Sequence, residues 1–225
     1  MSYDLLATFY DAFIDPEVYK QYLRLLDKYT SRGTLLDIGC GTGSLSLKLA
    51  KLGFKVTATD LSEEMLQIVN YRAKEEKVGL EMAVYDMLDP IPMMFDTVIA
   101  SMDVLNHLAD LEDVEFGFTN IYRALHPNGI FIFDVLSADY IDMLDGYVED
   151  DKKFKFHWES HKGDSEHSIV HTVTMRINGE KKEVKIYEQT YDLDHYVRVA
   201  NRIGFVILES IKMPERTILV LQRGE

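Results

Sequence analysis

The chain has 225 residues but only one cysteine, Cys40, one tryptophan, Trp158, and five prolines. A single thiol cannot close an internal disulfide, so the fold must rest on its core, and such usage fits a reducing compartment. Cations are also scarce. Lys and Arg number 24 against 38 Asp and Glu, a net charge of −14. Binders of polyanions carry a basic footprint, so nucleic acid is disfavoured as the main partner. Lysines do cluster at Lys152, Lys153 and Lys155, and again at Lys181, Lys182 and Lys185. These read as solvated residues on exposed strands. No apolar run is long enough to cross a bilayer. Met1-Ser2-Tyr3-Asp4 lacks the basic start and apolar stretch of a signal peptide. The expectation is a cytoplasmic protein with no membrane partner.

What is present is an ordinary globular composition, with enough length for one sizeable core and a small insertion. Residues 1–30 read as an aromatic-rich helical cap, with Asp15 as N-cap and Pro16 in the first turn. Strand-and-helix units follow. Strands are expected at Thr34–Ile38, Lys55–Thr59, Leu80–Tyr85, Phe95–Ser101 and Ile130–Val135. Ser62 caps the helix after the second strand, and Asp110–Leu125 is helical. His126-Pro127-Asn128-Gly129 reads as a turn. Short apolar strands alternating with helices imply a parallel sheet covered on both faces. Between 152 and 190 the pattern changes to alternating strands around Asn178-Gly179, a hairpin signal. A helix at Asp192–Ile203 and two strands, Phe205–Ile211 and Thr217–Leu221, complete the chain. The reading is one domain over 1–225, with a β-rich lid inserted at 140–190.

The most specific segment is Leu35-Leu36-Asp37-Ile38-Gly39-Cys40-Gly41-Thr42-Gly43. An apolar strand reaches an acid, then glycines fall at alternate positions before a helix. Glycine suits a turn where the main chain comes close to a ligand. In an open α/β sheet ligands bind at the carboxyl ends of the strands. The next strand ends carry Asp60-Leu61, Asp86-Met87, Ser101-Met102-Asp103 and Asp134. A carboxylate at the second strand can accept two hydrogen bonds from a ribose diol. Asp86 could hold an exocyclic amine, and Leu61, Met65 and Met87 could face a base. A dehydrogenase turn would read Gly-x-Gly-x-x-Gly and hold pyrophosphate. Here the third glycine comes one residue early, Ser44 stands at the expected position, and Asp37 would repel phosphate.

These three motifs in register, over roughly residues 34–136, resemble the class I S-adenosylmethionine (AdoMet) methyltransferases. The resemblance implies a Rossmann-like α/β fold: a seven-stranded, mostly parallel sheet of order 3-2-1-4-5-7-6, helices on both faces, and an antiparallel insertion after the fifth strand. It implies AdoMet as cofactor and S-adenosylhomocysteine as product. Asp37, Gly39, Gly41 and Gly43 would surround the methionine part, Asp60 the ribose and Asp86 the adenine, with Leu61, Met65 and Met87 as apolar faces for the base and Cys40 and Ser101 as further cofactor-binding positions. Methyl transfer is an in-line displacement that needs positioning and exclusion of water more than a fixed triad.

The acceptor is less legible. Ala100-Ser101-Met102-Asp103 lacks the Asn/Asp-Pro-Pro-aromatic motif of base-amine enzymes. Cys40 lies inside the cofactor turn, where it reads as a packing residue rather than the nucleophile of pyrimidine C5 enzymes. Asp103 and Asn106 read as loop and cap residues rather than metal ligands. Tyr10-Asp11-x-Phe13, with Tyr19 and Tyr22, looks like the opening of small-molecule methyltransferases, sugar N-methyltransferases among them. Tyr10 is a candidate at the acceptor; Tyr19 and Tyr22 read as core. His107 is a candidate general base, since imidazole titrates near neutrality. His157 and His161, and His167 and His171, form two pairs that would each share a strand face; no metal is expected. Trp158 either lines the substrate pocket or staples the insertion. The expected function is methyl transfer to N or O of a small molecule, with a homodimer through the lid as a further expectation. RNA modification and non-catalytic AdoMet binding are the alternatives.

Overall fold

The computed structural model describes residues 16–152, 156–177 and 180–224. Helix α1 (Pro16–Tyr29) leads into β1 (Thr34–Ile38), α2 (Ser44–Lys51), β2 (Lys55–Asp60), α3 (Glu63–Glu76), β3 (Glu81–Val84) and β4 (Phe95–Ala100). A 3-10 turn (Val104–His107) precedes α4 (Leu111–Ala124) and β5 (Leu125–Leu136). Then come α5 (Ala138–Met143), β6 (Val148–Asp151), β7 (Phe156–Lys162), β8 (Ser168–Ile177) and β9 (Glu180–Gln189). Helix α6 (Leu193–Ile203), β10 (Phe205–Lys212) and β11 (Arg216–Arg223) end the fold.

Seven strands form one sheet in the order β10-β11-β5-β4-β1-β2-β3. Read from the other edge, with β10 and β11 as sixth and seventh strands, this is the expected 3-2-1-4-5-7-6. Strands β1 to β5 pair in parallel, and β11 enters antiparallel between β5 and β10. The central strands are apolar because both faces are covered. On one face Val18, Tyr22, Leu25 and Leu26 of α1 pack with Leu45 and Leu49 of α2 against Leu35, Ile99 and Ile132. On the other, Phe118 of α4 meets Phe131 and Phe133 edge-on, with ring centroids 5.4 and 5.0 Å apart. Such pairs contribute about 0.5–1.5 kcal/mol each beyond area burial.

Local signals decide the helix starts. Ser62 accepts the N–H of Met65 at 3.2 Å, and Asp110 accepts those of Glu112 and Asp113 at 2.9 and 3.0 Å. An N-cap of this kind contributes about 1 kcal/mol. Pro16 opens α1 as expected; Asp15, its expected cap, lies outside the described residues.

The insertion is a second, four-stranded antiparallel sheet, β6-β7-β8-β9. Strands β8 and β9 pair from Ser168↔Gln189 to Ile177↔Glu180, which brackets the Asn178-Gly179 signal; those two residues lie outside the described ones. Asn106 anchors this sheet. Its Nδ2 donates to Gln189 O at 2.9 Å, and its Oδ1 accepts the N–H of Leu136 at 3.1 Å. Thr190 adds a bond from Oγ1 to Leu136 O at 2.6 Å.

Three features differ from expectation. Residues 126–129 are an excursion inside β5, not a turn before it. Pairing with β4 jumps from Phe95↔Leu125 to Thr97↔Ile130, and exposed Asn128 there has φ 63°. Helix α5 falls within the expected lid and was not anticipated, being one short turn capped by Ser137. The paired reading of His167 and His171 is also corrected. His167 precedes β8 with φ 52° and bonds Asp142 at 2.9 Å, whereas His171 is buried on β8.

Candidate active site

The glycine turn leaves β1 through three left-handed positions: Gly39 at φ 67°, Gly41 at 53° and Gly43 at 76°. Their roles differ. A Cβ on Gly39 would meet Val104 Cγ2 at 2.5 Å, and one on Gly43 would meet Val69 Cγ2 at 2.8 Å. A Cβ on Gly41 would meet nothing within 4 Å. Gly39 and Gly43 therefore admit neighbouring side chains, while Gly41 keeps its side of the turn open. Beside it lies a cavity of about 570 Å³. Gly39, Gly41, Asp60, Leu61, Met65, Asp86 and Met87 all line it, together with Met102, Val104 and Leu108. Strands β1, β2 and β3 thus deliver their expected residues to one space.

Asp60 braces the turn it faces. Its Oδ2 accepts the N–H of Gly41 at 2.8 Å and its Oδ1 that of Ser62 at 2.9 Å. A carboxylate offers about four lone-pair sites, so each oxygen keeps one for a hydroxyl. Asp86 accepts the N–H of Leu88 at 2.9 Å through Oδ1. Asp37 lies beneath the turn, buried, and outside the cavity lining. Ser46 donates to its Oδ2, and its Oδ1 has no partner among the described residues. Burial, aided by nearby Asp60, pushes the Asp37 carboxyl up to about 7 against the Ser46 bond. Asp60 on the cavity wall, with the Asp37 carboxyl buried beneath the turn, makes this end of the cavity favour a positive group over phosphate.

The other expected residues separate. Gly43 caps α2, Cys40 is half-buried, and Ser101 is buried; none of the three lines the cavity. Burial raises the Cys40 thiol far above its ordinary range. His107 does line it, exposed at the rim, with Nδ1 3.2 Å from Tyr187 O. A carbonyl only accepts, so Nδ1 is the donor of this contact, and in the neutral ring Nε2 holds the lone pair. Tyr3, Phe9, Tyr10 and Phe13 lie outside the described residues. Tyr22 is wholly buried, as the core reading has it.

Sequence reasoning missed a charged cluster behind the strand ends. Asp134, fully buried on β5, accepts from Tyr22 Oη at 2.6 Å, from Arg216 at 2.7 Å, and from the backbone N–H of Met102 and Asp103 at 2.8 and 3.3 Å. Arg216 also donates to Asp103. Met102 and Asp103 are left-handed, at φ 63° and 70°. An apolar strand interrupted by one acid was the available signal; its partners lie 31 to 112 residues away and carry no local pattern. A second cavity, of about 280 Å³, lies beyond Asp103 and Arg216, walled by the insertion. Trp158 both lines it and bonds within the lid, donating to Ser160 Oγ at 3.0 Å. Among the described residues no three His, Cys, Asp or Glu converge as a metal site, and no helix is long and apolar enough to cross a membrane.

Residues 36–133 match the methyltransferase domain family. A protein of Geobacillus sp. (strain WCH70), provisionally named a methyltransferase, is 31% identical over 224 residues, spanning 93% of this chain and 91% of its own. A crystal structure of an S-adenosylmethionine-dependent methyltransferase from Clostridium acetobutylicum ATCC 824 superposes with a TM-score of 0.87 at 22% identity, each chain covered fully. The sugar N-methyltransferase KedS8 of Streptoalloteichus sp ATCC 53650 gives 0.78 at 18%, covering all of this chain and 94% of the other. The glycine turn, the acids at the next two strand ends, the strand order and this full-length kinship place the chain in the class I AdoMet-dependent methyltransferases, with AdoMet as its cofactor.

Proposed function

We propose that the protein transfers a methyl group from AdoMet to a nitrogen or oxygen of a small-molecule acceptor. The observation that carries this reading is the pair of cavities, one at the glycine turn and one beyond Asp103, on the same strand-end surface. When bound, AdoMet supplies a methyl group already activated on a sulfonium. The protein's part is to hold, orient and exclude water. Gly41 lets the methionine portion approach the main chain, and Asp37, buried beneath the turn, favours its ammonium end through the field of its carboxylate rather than by contact. The free lone pairs of Asp60 receive the ribose diol, and Asp86 the adenine amine, between Leu61, Met65 and Met87. The Nε2 lone pair of His107 is a proton acceptor on the cofactor side.

Against the RNA alternative, the walls beyond Asp103 carry Glu149, Glu188 and Glu215, not a basic surface. Against non-catalytic binding stands a cavity able to hold a second ligand. Exposed Val184 on the edge strand β9 supports a homodimer through the lid, which sedimentation velocity tests.

Calorimetric titration with AdoMet and S-adenosylhomocysteine tests the reading, followed by a metabolite screen with labelled donor. Binding of both and label in a small-molecule fraction are expected. Failure of the wild type to bind either sinks it.

A further inference from the structure

The cavity of about 280 Å³ beyond Asp103 has a charge pattern that the methyl-transfer reading does not use. Four carboxylates line it: Asp103, Glu149, Glu188 and Glu215. Arg216 is the one Lys or Arg among the described lining residues. Its charge is already committed, because its Nη1 donates to both Asp134 and Asp103. The buried His171 ring lies between Ser160 Oγ, 2.7 Å from its Nδ1, and Glu188 Oε2, 3.3 Å from its Nε2, so it touches only one of the four carboxylates. Glu188 is 11% exposed, so water screens it poorly.

Two further observations point to a ligand. Arg216 is 5% exposed and lines the cavity, yet its Nε–H has no partner among the described residues. A buried unpaired donor costs about 1–3 kcal/mol, a cost that an oxygen acceptor on a ligand would remove. The walls also present Tyr140, Tyr147 and Trp158, whose ring faces favour cations.

We infer that this cavity is the acceptor site and that it takes a small cationic amine bearing a neighbouring hydroxyl. The inference rests on the methyl-transfer reading and names its substrate class. The ammonium lies among the carboxylates and aromatic faces, and the hydroxyl oxygen accepts from Arg216 Nε. Asp103 joins this site to the cofactor, because its chain neighbours Met102 and Val104 line the cofactor cavity. Burial, with Asp134 and Glu188 nearby, holds the Asp103 carboxyl above the usual range in spite of Arg216, and Asp103 lines this cavity whereas His107 does not. The amine nitrogen passes one proton to Asp103 and bonds through its freed lone pair to the donor methyl carbon. The electron pair of the broken sulfur–carbon bond stays on sulfur.

The test uses the full chain saturated with S-adenosylhomocysteine, titrated calorimetrically at pH 7. The probes are trans-2-aminocyclohexanol and trans-1,2-cyclohexanediol, matched in shape and differing in charge. The amino alcohol is expected to bind at least tenfold tighter. Glu188→Gln should cut that preference about fivefold with the affinity for S-adenosylhomocysteine unchanged. Because Glu188 also touches His171, Glu215→Gln provides a second variant outside that contact, with the same expected direction. Equal binding of the two probes, tighter binding of the diol, or no binding of either overturns the inference. Loss of S-adenosylhomocysteine binding by the wild type would instead overturn the methyl-transfer reading, so the two failures are distinct.

Discussion

The carboxylate of Asp134 accepts the backbone N–H of Met102 at 2.8 Å, just beyond the end of β4. Through this bond a buried acid on one strand holds the left-handed turn of the next, whose residues line both cavities. Arg216 and Tyr22 supply the donors that keep the acid's charge compensated. Breaking a buried charged network leaves its remaining members uncompensated, typically at about 3–5 kcal/mol. Asp134→Ala should therefore lower the unfolding free energy by about that much in urea titration. Tyr22→Phe removes one hydrogen bond to a charged group and should cost about 1.5–3 kcal/mol. A loss below about 1 kcal/mol for Asp134→Ala would show that the network is not structural.

The three glycines of the turn separate stability from binding. Gly41→Ala pays only the left-handed backbone cost of about 1–2 kcal/mol, since no atom blocks its Cβ. It should nevertheless weaken S-adenosylhomocysteine at least tenfold. Gly43→Ala meets Val69 at 2.8 Å and should lose more stability than Gly41→Ala. Thermal unfolding with and without ligand distinguishes the pair; the reverse ranking would refute these roles.

Asp60 has two tasks, bracing Gly41 and Ser62 and receiving a diol. Asp60→Asn retains one carbonyl acceptor but turns the other end into a donor that opposes an N–H. Both Asp60→Asn and Asp60→Ala should bind S-adenosylhomocysteine at least tenfold more weakly, the alanine variant most. An Asp60→Ala protein that binds as tightly as wild type removes the ribose assignment.

Asp37 makes the molecule sensitive to pH. Its carboxyl, near 3.8 when unperturbed, is raised to about 7 in the native state by burial. Between about pH 4 and 7 the native state holds a proton that the unfolded state has lost. Stability of the free protein should therefore fall as pH rises through that window and level off above it. Asp37→Asn should flatten the profile and be the more stable form at pH 8. Cofactor affinity should run the other way, because an ammonium favours the ionised carboxylate. Titration of wild type should show tighter S-adenosylhomocysteine binding at pH 8 than at pH 6, and Asp37→Asn should lose that slope.

Elements that depend on near neighbours are written in the chain itself. Alternation of apolar strands with helices, Ser62 before its helix, and glycines at alternate positions after Leu35-Leu36-Asp37 act over a few residues, so composition and spacing declare them. Asp60 and Asp86 were legible for the same reason: each closes an apolar strand, and parallel strands bring their carboxyl ends to one edge. The strand order came through resemblance to a family. Tertiary structure alone decided which glycine faces open space, since Val104 and Val69 arrive from other elements. It also decided that Asp37 is buried beneath the turn, that His167 and His171 part company, and that Asp134 is a hub. Above all it placed Asp103, Glu188 and Arg216 around one cavity, although they come from a loop, a lid strand and the last strand. Their meeting depends on long-range packing and on compensation of buried charge, neither of which leaves a periodic mark in the chain.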